Sequence, residues 1–165
     1  IVGLTAVPFP FLPRHLTLIS ALTIGIPGFF LALMPNTERF RPGFFRRVMV
    51  FAVPCGVIAA ATAYAAYCIA LTLENVDEAR VDATIALFMV TVTVLAVSAR
   101  PMNLIRAAIV LSMIGAFLAV LFIPALSQLF ALSLSPDAEG AWTLVTGGVG
   151  VVLIVVTSRV VRRWQ

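Results

Sequence analysis

Residues 8–35 read PFPFLPRHLTLISALTIGIPGFFLALMP. From Leu16 to Met34 there are 19 positions without a charge. At about 1.5 Å of rise per residue, a helix of that length crosses a hydrocarbon core of about 30 Å. Pro27 stands near its middle. Proline has no N–H and its ring crowds the preceding turn, so the Thr23 carbonyl loses its usual donor, and Gly25 and Gly28 loosen the helix on either side. Inside lipid, freed backbone is tolerated where it faces neighbouring helices or a water-filled cavity, as in the broken helices at transporter ion sites. At about 100° per residue, Thr17, Ser20 and Thr23 set three hydroxyls on one arc of about 120° upstream of the break. Hydroxyls and loosened carbonyls are hard-cation ligands. The same residue types also suit a proline kink that only shapes packing, with Ser and Thr bonded back to their own helix.

The composition extends this membrane reading to the whole chain. Of 165 residues, 62% are hydrophobic and 11% charged, with a mean hydropathy of +1.12, whereas soluble domains carry about 25% charge. The chain reads as an integral membrane protein. All eleven basic residues are arginine, which points to a high-GC genome. The net charge of +4 is a topological signal; without a basic patch interleaved with aromatics, no nucleic-acid partner is expected. Cys55 and Cys68 lie about 20 Å apart along one apolar helix, too far to pair, and read as buried small residues.

The expected fold is all-α: a polytopic transmembrane bundle of five full spans, at about 16–34, 48–73, 81–99, 104–123 and 141–158. Residues 1–7 are expected to be the tail of a preceding helix, followed by a turn held by Pro8, Pro10 and Pro13; with no signal-peptide features at Ile1, the chain reads as a piece of a longer one. In the second span, Ala52, Gly56 and Ala60, then Ala59, Ala63, Ala66 and Ala70, repeat at steps of four residues with one of three, which allows close helix approach and predicts a central place in the bundle. Tyr64 and Tyr67 lie deep enough to need hydroxyl partners from other helices. Residues 74–80 read as an acidic loop, with Asp82 in the first turn of the next span, and residues 124–140 as a longer link carrying Asp137 and Glu139. Gly147, Gly148 and Gly150 mark either a flexible point or close packing in the last span.

Arginine distribution orients the bundle. Arg39, Arg41, Arg46, Arg47, Arg100, Arg106, Arg159, Arg162 and Arg163 fall on one side, and only Arg14 and Arg80 on the other. The positive-inside rule then predicts a cytoplasmic C-terminus and a His15 loop outside. No span carries Asp, Glu, Lys or His in its central turns, and there is no paired histidine, Cys-x-x-Cys or phosphate-cradling glycine loop, so no catalytic residue is expected in these 165 residues.

A proline-rich outer turn, a helix with hydroxyls, Gly25-Ile26-Pro27 in mid-span, then Pro35-Asn36 and a basic loop resemble the end of the fifth and all of the sixth transmembrane helix of P-type cation ATPases. The wording is most like that of actinobacterial pumps associated with calcium, and it is specific over roughly residues 7–50. The other four spans match the seventh to tenth helices in number, orientation and loop charge. Many such pumps carry Asn-x-x-Thr-Asp-Gly-x-Pro in the sixth helix, which aligns Ser20 with the Asn, Thr23 with the Thr and Ile24 with the Asp. Only Thr23 is kept, and the carboxylate at Ile24 is gone. The resemblance implies that this chain is the C-terminal part of the membrane domain of an ATP-driven cation efflux pump in the plasma membrane, with calcium as cargo. Thr17, Ser20, Thr23, Gly25 and Pro27 would line one wall of the ion pathway, with Ser20 and Thr23 as metal ligands. It implies ATP and magnesium as cofactors of the intact protein, bound outside this chain. Its partners would be the lipid bilayer and the upstream helices and cytoplasmic domains of the same polypeptide. The rival expectations are a self-contained membrane scaffold or assembly partner, and a channel or secondary transporter.

Overall fold

The protein's computed structural model describes residues 8–34, 43–73, 75–132 and 141–163. Every element among the described residues is helical. The first span, Pro13–Ala32, is composite: α1 (Pro13–Ser20), a π-turn (Ala21–Gly25) and α2 (Ile26–Ala32). Then come α3 (Phe44–Leu73), α4 (Val76–Ser98), α5 (Leu104–Phe122), the short α6 (Pro124–Phe130) and α7 (Ala141–Arg163). Among the described residues five helices are long and apolar enough to cross a membrane, the all-α polytopic bundle expected from the sequence. The expected helix tail at 1–7, the segment 35–42 with Arg39 and Arg41, Glu74, the segment 133–140 with Asp137 and Glu139, and Trp164 lie outside the described residues.

Local signals explain where the boundaries moved. Pro13 opens α1 after an extended Leu12 (φ −84°, ψ 149°), a position where its missing N–H breaks no helical bond. His15, expected in the loop, therefore lies in the first helical turn. Asn75 is likewise extended (φ −75°, ψ 159°), and Asp77 and Glu78 occupy the first turn of α4, where carboxylates meet the positive end of the helix. Residues 76–80 are consequently helix, not acidic loop, and Asp82 sits in the second turn. Pro124 restarts a helix after an extended Ile123, so α6 takes up the first part of the expected link.

The bundle is organised around α4. It packs on α3, α5, α7 and the first span, while α3, α4 and α7 form a closely packed group on one side of it. This corrects the expectation that the second span is central. On α3 only the later small residues are used: Ala63, Ala66 and Ala70 are buried, whereas Ala52, Gly56 and Ala60 face outward. What suits α4 to the centre is that it can be covered on all sides. Ala79, Ala83 and Ala86 admit near neighbours, and its threonines satisfy themselves, with Thr84, Thr91 and Thr93 donating to the carbonyls of Arg80, Leu87 and Met89. Phe88 stacks on Phe117 of α5 with centroids 3.8 Å apart and planes 9° from parallel.

The glycines of the last span are packing positions at two of three sites. A Cβ on Gly147 would lie 2.6 Å from Met89 Sδ, and one on Gly150 would lie 2.6 Å from Thr62 Oγ1 and 2.7 Å from Val90 Cγ2, while Gly148 faces open space. Cys55 is buried and Cys68 half-buried, both as free thiols. At the far end of α4, Arg106 donates to the carbonyls of Ala99 and Pro101, as a cation does at a helix C-terminus.

Candidate functional site: the broken first span

Pro27 cannot donate a backbone hydrogen bond, and the helix accommodates this by widening just before it. The Ile26 N–H reaches five residues back to the Ala21 carbonyl, closing the π-turn Ala21–Gly25. Such single-turn bulges recur at functional sites. Gly25 is not forced by space, since a Cβ there would lie 3.7 Å from the Ser20 carbonyl, an ordinary contact. Its contribution is the looseness of a backbone without a side chain.

The span has two distinct faces. His15, Leu18, Leu22, Thr23 and Pro27 are buried, in a span whose neighbours are α4, α5 and α6. Thr17, Ser20, Ile24 and Gly28 are exposed, with Ile24 at 71%. The hydroxyl arc expected from the sequence is thus divided at its edge. Thr17 and Ser20 lie on the open side, and Thr23 is turned inward, donating to the Ile19 carbonyl at 2.8 Å. Thr17 also bonds back, to the Pro13 carbonyl at 2.9 Å. Sequence spacing at a constant helical step could not register this division, because the step changes within the π-turn.

A polar network ties the start of the span to the rest of the bundle. The Tyr67 hydroxyl of α3 donates to the Pro8 carbonyl at 2.8 Å, and Arg80 Nε of α4 donates to the Phe9 carbonyl at 3.2 Å. Arg14 reaches the Leu129 carbonyl in α6 at 3.4 Å. His15 is fully buried, with Nδ1 3.1 Å from Thr84 Oγ1. The partner demanded for Tyr67 is found here. The role of His15 was missed, although the signal existed: Pro13 in the first turn sets His15, Leu18, Ile19 and Leu22 on one stripe. Arg80 also pairs with the exposed Asp77 at 2.8 Å, a contact worth little in water.

Among the described residues no three of His, Cys, Asp and Glu come together as a metal site. On the broken span the Ser20 hydroxyl lies on the exposed face, and the Thr23 hydroxyl is held by the Ile19 carbonyl.

Comparison with known proteins gives the chain its relatives. It is 38% identical over 151 residues to the calcium-transporting ATPase CtpE of Mycobacterium bovis and to that of Mycobacterium tuberculosis; each match covers 88% of this chain and 19% of the relative. The calcium-transporting ATPase CtpE of Mycolicibacterium smegmatis is 37% identical over 137 residues, covering 80% of this chain and 17% of the relative. The chain therefore spans about a fifth of the length of the relatives it matches. No family model and no solved structure matches it. The resemblance drawn from residues 7–50 extends, in these relatives, over most of the chain.

Proposed function

We propose, for a chain that belongs with the P-type cation-transporting ATPases, that it is the C-terminal membrane segment of a calcium efflux pump of the plasma membrane. The broken first span forms one wall of the ion pathway. The observation that carries the reading is the π-turn Ala21–Gly25 against Pro27 in mid-span, beside a face left exposed by the described residues. In that face Ser20 is the direct oxygen ligand, and the backbone between Gly25 and Pro27 supplies the bend. Thr23 is a second ligand whose hydroxyl releases the Ile19 carbonyl when it turns toward the cation. Thr17 lines the approach to the break. Carboxylates and the ATP and magnesium chemistry belong to the rest of the polypeptide, whose helices cover the open face. The C-terminus is cytoplasmic and the His15 end is on the outer side, in keeping with the arginine distribution.

The test is calcium-stimulated ATP hydrolysis by the full-length protein in liposomes, with Ser20→Ala and Thr23→Val. Ser20→Ala is expected to raise the calcium concentration for half-maximal activity several-fold, and Thr23→Val by less. An unchanged calcium dependence in both variants removes the broken span from the pathway.

A further inference from the structure

In water the apolar stripe of α1 would fix how the helix is turned, because exposing it is costly. In a bilayer that discrimination is lost: leucine is as well solvated by lipid as by a neighbouring helix. Leu18, Ile19 and Leu22 therefore specify the rotation of α1 only through shape, and directional polar contacts must do the rest. A side-chain pair joins α1 to α4: His15 with Thr84, at 3.1 Å and wholly buried.

Thr84 Oγ1 donates to the Arg80 carbonyl at 2.7 Å and also lies 3.1 Å from His15 Nδ1, a contact whose direction follows the imidazole tautomer. Nε2 is buried without a side-chain or backbone partner at hydrogen-bond geometry, and the ring lies against the backbone of Phe130 and Ala131. An orphaned buried polar nitrogen is a cost that leucine would not carry at this position. What leucine would also lack is the Nδ1 contact with Thr84.

We propose that His15 is a positioning residue for the broken span: its Nδ1 contact with Thr84 fixes the rotation of α1 against α4, and thereby the direction in which Ser20 points. The inference rests on the pathway reading above for its functional consequence. The contact itself stands apart from that reading.

Two measurements on the full-length protein separate them. The first is the calcium dependence of ATP hydrolysis in His15→Asn, His15→Gln, His15→Leu, Thr84→Val and the His15→Leu/Thr84→Val pair. Asparagine sets its amide near the place of Nδ1, and its half-saturating calcium is expected to stay within about twofold of the parent. Glutamine, whose amide reaches the place of Nε2, leucine and Thr84→Val are each expected to raise it about fivefold, the effect of one buried hydrogen bond, with maximal turnover retained. The pair is expected to be no worse than either single change. The second is the spin-label distance between Leu16→Cys on α1 and Asp77→Cys on α4, with the native cysteines of the full-length protein, Cys55 and Cys68 among them, replaced. It is expected to be narrow in the parent and in His15→Asn and broad in His15→Gln. An asparagine variant as impaired as the glutamine one, additive effects in the pair, or an unchanged distance distribution in His15→Gln overturns the proposal. A parent protein without calcium-stimulated hydrolysis overturns the pathway reading instead, and the distances then judge His15 alone.

Discussion

Gly150 of α7 lies so near Thr62 of α3 that a Cβ at position 150 would come within 2.6 Å of the threonine Oγ1, with Val90 of α4 at 2.7 Å on the other side. Three helices meet at one missing side chain. Since helices in a bilayer are held by close contact more than by escape from water, that absence is a stabilising feature.

Gly150→Ala is accordingly expected to destabilise the protein by about 1–3 kcal/mol, the usual cost of overpacking. Gly148→Ala, which meets nothing within 4 Å, is expected to be neutral. Unfolding of the two variants in detergent, side by side, checks this; equal stabilities would refute it.

The Tyr67 hydroxyl holds the Pro8 carbonyl across 59 positions of chain. Tyr67→Phe removes that bond and little else, so it is expected to cost about 0.5–1.5 kcal/mol. Because Pro8 has no N–H of its own, hydrogen exchange should be followed at Phe9 and Phe11, where faster exchange is expected than in the parent.

Ile24 is 71% exposed on the open face of the broken span, at the position where the resemblance to cation pumps places a carboxylate. If this face meets the transported ion, Ile24→Asp in the full-length protein adds a charged ligand. The calcium concentration for half-maximal ATP hydrolysis is expected to fall on the order of tenfold. No change would place Ile24 away from the ion.

Ala131 ends α6 in the left-handed region, at φ 51° and ψ 46°. A non-glycine residue there costs about 1 kcal/mol, which glycine avoids at some loss of chain entropy. Ala131→Gly is expected to be neutral or stabilising by a few tenths of a kcal/mol, whereas Ala131→Val, β-branched, is expected to destabilise by more than about 1 kcal/mol. Thermal unfolding of the pair decides.

The extent to which the sequence foretold this structure varies with the kind of information. The five spans and the break were readable, because charge-free runs and a mid-span proline act locally. The stability of Gly150 against Thr62 was readable only as a choice between flexibility and packing, since the contact joins distant parts of the chain. The place of α4 at the centre was hidden for a related reason. Small residues on α3 permit close approach but do not say which helix approaches, and only half of the stripe is used. His15 was hidden by a boundary: shifting the start of one helix from Leu16 to Pro13 carries the imidazole from a loop into the interior. The hydroxyl arc failed where the helical step itself changed, between Ser20 and Thr23.

Among the described residues the first span and α3 scarcely touch each other, and α4 is the element that packs on both. During synthesis the two therefore gain a common neighbour from this chain only once translation has passed Ser98, so the locking of one against the other is set by the arrival of a single helix.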